Sequence, residues 1–215
     1  MRIELQEELD LIREMLVSTA EAVRSAIGVA TTALLSADRT AAESVITGDV
    51  QINDLCWRIE DRVQATTARQ APVATDLRVM FAALHVAADL ERMGDLAKHV
   101  ARTALRAHPE PAVPAELAPL FGQMAGGADR MAAKLIRVLS EPDLARAAEL
   151  DRDDNVVDRL HRDLLARLLE PGWRYGAEAA IDAALLGRFY ERYADHAVNA
   201  GRRVTFLVSG AAVVG

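Results

Sequence analysis

Glu91-Arg92-Met93-Gly94-Asp95 recurs one hundred residues later as Glu191-Arg192-Tyr193-Ala194-Asp195. Each copy sets two carboxylates four residues apart, which on an α-helix is one turn along the same face. Like charges at that spacing destabilise an isolated helix, and a cation held between them is the simplest compensation. The seven acidic pairs at this spacing exceed only slightly the roughly five that chance placement of 32 acidic residues in 215 would give, an excess that carries no weight. The information lies in the matched surroundings. Glu, Arg, Asp, Ala and Arg agree at 91/191, 92/192, 95/195, 97/197 and 102/202, so the phrase marks a duplicated helical unit.

Working outward, prolines at 72, 109, 111, 114, 119, 142 and 171 avoid the interior of every long helical pattern, where each would cost about 3 kcal/mol. The intervening segments read as helices over about 3–36, 39–70, 75–107, 115–139, 143–169 and 177–209. Leu5, Leu9, Ile12 and Leu16 trace an apolar stripe on the first. Asp38 is placed to cap the second, and Pro72 forces a break before the third, whose stripe is expected at Leu77, Phe81, Leu84 and Ala88. The Pro-rich stretch His108–Pro114 divides the chain nearly in half. Leu35-Ser36 corresponds to Leu139-Ser140, and Asp49-Val50-Gln51-Ile52-Asn53 to Asp154-Asn155-Val156-Val157-Asp158. Short turns make successive helices antiparallel neighbours. The expected fold is all-α, with two tandem antiparallel three-helix bundles over 1–108 and 115–215, six long helices related by a pseudo-twofold repeat.

Composition narrows the function. The chain is 51% hydrophobic, 27% charged and 4% aromatic, rich in strong helix formers. A net charge of −7 with both signs interspersed provides no electrostatic footprint for nucleic acid. The lone Cys56 fits a reducing compartment and a small core position. Trp57 and Trp173 are expected in the core or as interhelix wedges. The N-terminus carries no apolar signal region, and no stretch approaches the roughly 20 apolar residues of a membrane span. A soluble intracellular protein is expected, with the apolar Ala211–Val214 as a frayed or partner-packed helix end.

On a helical wheel Glu91 and Asp95 extend the face of Leu84, and Glu191 and Asp195 that of Ala180, Ala184 and Gly187. Carboxylates on such a face are partly desolvated, which is costly unless they are paired or bind metal. The second helix of each half offers a matching set: Asp49 with Asn53, and Asp154 with Asp158. Antiparallel packing brings these oxygens opposite the acidic phrase, an arrangement by which helical bundles hold metals. All-oxygen ligation favours Mg²⁺, Mn²⁺, Ca²⁺ or iron over Zn²⁺ or Cu⁺. Two competing readings stand beside this one. The neighbouring arginines can make a plain salt-bridged, metal-free scaffold, with His99 and His196 as packing residues. A metal-dependent enzyme or storage protein of the di-iron type needs Glu-x-x-His on two helices, and the nearest approach, Asp158-x-x-His161, has no partner in the first half. No Walker sequence or nucleophile–base pair points to catalysis, so no enzymatic activity is expected.

Asp89-Leu90-Glu91-Arg92-Met93-Gly94-Asp95, its echo through Asn199 and the connector Ala68-Arg69-Gln70-Ala71-Pro72-Val73-Ala74-Thr75-Asp76-Leu77-Arg78 together resemble the PhoU family over essentially the whole chain. The resemblance implies metal binding through the acidic motifs, with iron, Mn or Mg ions. It also implies a cytoplasmic regulator of phosphate homeostasis, partnered by the ATPase subunit of a phosphate ABC transporter and by a phosphate-sensing histidine kinase. Such a protein damps uptake and starvation signalling when phosphate is plentiful. It is expected to form a homodimer and to meet the membrane only through its partners. Asn53, where a second carboxylate is expected, and Met93, Tyr193 and Ala194 depart from the family phrase. The second cluster is therefore expected to hold metal more firmly than the first.

Overall fold

The computed structural model describes residues 2–141 and 144–209. Six helices follow in order: α1 (Arg2–Ser36), α2 (Arg39–Gln70), α3 (Ala74–Ala107), α4 (Ala118–Ser140), α5 (Leu144–Leu168) and α6 (Gly176–Ser209). No strand occurs among the described residues. The expected tail contact at Ala211–Val214 lies outside them. None of the described helices is long and apolar enough to cross a membrane.

Local chemistry sets the turns. The Asp38 carboxylate accepts from the Ala41 N–H at 3.0 Å and caps α2 as expected. Ala71 closes the same helix in the left-handed region, its N–H donating to Thr67 O at 3.1 Å, just before Pro72. On α1 the stripe of Leu9, Ile12, Leu16, Ala20, Val23, Ile27 and Leu34 is buried, the i, i+3, i+4 pattern of a helix with one face in the core.

α1, α3, α6 and α4 contact one another in a ring, α2 packs only on α1 and α3, and α5 only on α4 and α6. The two three-helix bundles thus share a four-helix centre and one continuous core. Polar contacts stitch the seam. Arg24 reaches Asp129 through two hydrogen bonds of 2.6 and 3.0 Å, and the Tyr190 hydroxyl meets that of Thr31 at 2.7 Å. His196 Nδ1 lies 3.0 Å from Asp89 Oδ1, with Arg203 Nε at 3.5 Å from the other oxygen. Tyr190 and Tyr193 are fully buried at this seam.

Two expectations need correction. The buried stripe of α3 runs through Met80, Ala83, Val86, Ala87, Leu90, Met93 and Ala97, whereas Phe81 and Ala88 are exposed and Leu77 and Leu84 half-buried. Three neighbouring helices widen the buried face of α3 and rotate it away from its largest side chains. Glu91 and Asp95 therefore border the core on the α2 side. Trp57 is 62% exposed, because α2 packs on two helices along one side only. Trp173 does wedge a turn, stacking edge-on with Tyr175 at 5.1 Å and donating from its indole N–H to Gly176 O at 2.8 Å.

Small residues at heptad spacing on α3 and α6 let α2 and α5 approach them closely. Ala87, Gly94 and Ala101 on α3 match Gly187, Ala194 and Gly201 on α6, all buried. A Cβ on Gly94 would meet Ile52 of α2 at 3.0 Å, and one on Gly187 or Gly201 would collide with Leu164 or Leu150 of α5. Gly48, also helical, has open space around it. Gly48→Ala should therefore raise stability by about 1 kcal/mol through helix propensity alone. Gly187→Ala should lower it by about 1–2 kcal/mol, as overpacking outweighs that gain. Equal effects of the two changes in urea denaturation would contradict this account of the α5–α6 contact.

Candidate metal centre

The α2–α3 and α5–α6 interfaces carry the two acidic clusters at equivalent places. In the first, Asp49 is buried on α2, and Asn53 Nδ2 donates to its Oδ2 at 3.2 Å. Lys98, one turn beyond Asp95 on α3, extends its ammonium between the helices. Its Nζ lies 2.6 Å from Asp49 Oδ2 and 2.7 Å from Asp95 Oδ1. Arg92 reaches Asp95 at 3.3 Å and Glu91 at 3.9 Å along the same helix. Desolvation pulls the Lys98 pKa down, but hydrogen bonds to Asp49 and Asp95 more than restore it, leaving it raised. Three carboxylates here face two cations. Lys98 is the counter-ion that sequence reading missed; its only trace in the sequence is a lysine three positions after the repeated Asp, where the other copy has Val198.

The second cluster has no such ammonium. Among the described residues, no ion pair engages Asp154, Asp158 or Asp195, and Glu191 is held by Arg188 of its own helix. Nearby carboxylates of α5 are satisfied elsewhere. Lys134 takes Glu149 at 3.0 Å and Asp153 at 2.9 Å, and Arg202 takes Asp151 at 2.8 Å. Four carboxylates therefore face one cation across α5 and α6. Burial raises the Asp154 pKa to about 6, aided by the charges of Asp158, Asp195, Glu191 and Asp151. Burial likewise raises Glu191, with Asp195 adding to the shift and Arg188 opposing it. His161, one turn beyond Asp158, is pulled down by desolvation and by Arg188, against the pull of Asp158.

The hydrogen-bond accounts of these sites do not close. The buried oxygens Asp49 Oδ1, Asn53 Oδ1, Asp154 Oδ1 and Glu191 Oε2 have no hydrogen-bond partner, and the only other such atom is Asp89 Oδ2 at the central seam, among the described residues. Orphaned buried acceptors are rare and costly; at the second cluster, where no ammonium enters, Asp154 Oδ1 and Glu191 Oε2 fit oxygen donors for a hard cation. The donor set of Asp154, Asp158, Glu191 and Asp195 fits such an ion. Among the described residues, no three His, Cys, Asp or Glu side chains converge closely enough to enclose one in their present rotamers.

The architecture has counterparts in known proteins. The PhoU domain matches residues 12–104 and 121–204. The chain belongs to the PhoU family. The phosphate-specific transport system accessory protein PhoU homolog 2 of Mycobacterium tuberculosis is 41% identical over 211 residues, covering 98% of this chain and 99% of the relative. Its homolog 1 in Mycobacterium bovis is 44% identical over 181 residues, covering 84% and 82%. The crystal structure of PhoU from Pseudomonas aeruginosa superposes with a TM-score of 0.87 at 27% identity, over 96% of this chain and 99% of that one.

The raised Asp154 pKa has a measurable consequence in protein stripped of metal by chelator. Between its ordinary value of 3.8 and about 6, the folded chain binds more protons than the unfolded one. Stability from this group is thus full below that window and is lost as pH rises through it. Asp154→Asn should flatten the dependence of urea midpoint on pH across this range. An unaltered slope would show that the crowding of these carboxylates is relieved in solution.

Proposed function

We propose that this protein is an accessory regulator of phosphate transport that restrains uptake and starvation signalling when phosphate is abundant. It acts as a metal-binding adaptor between the ATPase subunit of a phosphate ABC transporter and a phosphate-sensing histidine kinase. Membership of the PhoU family across both repeats carries this reading, supported by relatives named phosphate-specific transport system accessory proteins. It works as a cytoplasmic, non-enzymatic homodimer that reaches the membrane through its partners.

The second cluster supports the metal part of the proposal. Asp154 and Asp158 from α5, with Glu191 and Asp195 from α6, would hold a hard cation such as iron, Mn²⁺ or Mg²⁺. The ion would neutralise crowded carboxylates and fasten α5 to α6, so the surface shown to partners would depend on occupancy. Arg188 orients Glu191 from one side. The close approach at Gly187 and Gly201 holds the helix spacing.

Affinity capture from cells grown in high and in low phosphate tests partner and condition together. The expected result is recovery of the ATPase subunit and the kinase with the native chain, dependent on phosphate supply. Recovery should weaken for a chain carrying Glu191→Gln and Asp195→Asn. Absence of both partners under both conditions would overturn the adaptor reading, whereas full recovery with the double variant would remove only the metal from it.

A further inference from the structure

We infer that Lys98 serves as a built-in cation that takes the place of a metal ion in the first cluster, so that this chain loads metal at its second cluster only. The inference rests on the metal reading of the second cluster, and it concerns how the two halves differ. The duplication aligns Asp49 with Asp154, Asn53 with Asp158, Glu91 with Glu191 and Asp95 with Asp195. Within that frame the residue one turn past the aspartate is Lys98 in one copy and Val198 in the other.

Geometry makes the ammonium a substitute rather than a bystander. Nζ bridges α2 and α3 by contacting one carboxylate on each, at 2.6 and 2.7 Å, the link that a cation between those helices would provide. Lys98 and Asp49 side chains keep only 15% and 7% of their accessible surface, so the pair is shielded from water and poorly screened by salt. A divalent ion bound through the remaining oxygens of Asp49 and Asn53 would share Asp49 with the ammonium and lie within its repulsive field. Asn53 points the same way, since the helix that meets the lysine carries one carboxylate where its counterpart carries two. Charge is thus already largely balanced at the first interface and unbalanced at the second. The α2–α3 half is permanently fastened, whereas the α5–α6 half depends on the supply of ion.

Metal analysis by equilibrium dialysis of the full chain against Mn²⁺, with melting followed in parallel, tests this. The native chain should bind Mn²⁺, and the variant with Glu191→Gln and Asp195→Asn should bind none and show no rise in Tm on addition of Mn²⁺. Adding Lys98→Val to that double variant should restore stoichiometric binding and a Mn²⁺-dependent rise in Tm, as expected of a ligand specific to the folded state. Val198→Lys in the native chain should abolish uptake without loss of folding. Retention of Mn²⁺ by the double variant, or failure of the folded triple variant to gain any, overturns the role given to Lys98. If the native chain binds no Mn²⁺ at all, the metal reading of the second cluster fails, and Lys98→Val alone then decides the inference by whether it creates a site. Hydrogen exchange on the native chain needs no substitution: Mn²⁺ should increase protection in α5 and α6 only, and equal protection of α2 and α3 would contradict the proposal.

Discussion

The close approach of the third helix of each repeat to the second is the constraint on which the rest depends. Ala and Gly alternate at equivalent heptad positions on α3 and α6, and their small size lets Ile52, Leu150 and Leu164 pack against bare backbone. Helices that close exclude water from the polar residues at their edges. Carboxylates placed beside such a seam cannot keep their hydration, and an unpaired buried charge is far more costly than a lost surface contact. The acidic clusters are therefore a consequence of packing as well as of sequence: the same residues on widely spaced helices would be solvated and unremarkable.

Two copies of one arrangement have met this electrostatic demand differently. At α2–α3 the cation is covalently part of the chain, delivered by Lys98 from the same helix as Asp95. At α5–α6 the matching position holds a buried valine, and only Arg188 pairs with the cluster carboxylates among the described residues. An internal ammonium is always present and carries one charge, whereas an exchangeable ion carries more charge and varies with supply. The duplicated fold thus contains one interface whose charges are largely matched within the chain and one whose carboxylates are not.

The halves are coupled through the four-helix centre. α6 presents Glu191 and Asp195 toward α5, while Tyr190 and Tyr193, beside them in sequence, are buried at the seam with α1, where Tyr190 meets Thr31. α6 is thus engaged on both faces, and the Asp89–His196 contact crosses the same seam. With α2 and α5 on the flanks of this four-helix centre, the acidic clusters lie at its outer interfaces.

Periodicity, proline placement and the duplicated acidic phrase determined the six helices, their order and the internal repeat, because these depend on spacing along the chain. The oxygen-rich character of the clusters was likewise legible, since i, i+4 pairs and antiparallel turns suffice to oppose Asp49 with Asp95 and Asp154 with Glu191. Which residues of α3 face the core was not: Phe81 and Leu84 looked apolar enough to lead the stripe, but contact with three helices rotated burial onto Ala and Met. Trp57 lies outside for a related reason, as its size argues for burial only where a neighbour exists to cover it. Lys98 was invisible as a counter-ion because its reach to Asp49 spans two helices and 49 residues of chain. Tertiary structure alone decided which charges are matched, since that depends on distances and on the exclusion of water between helices.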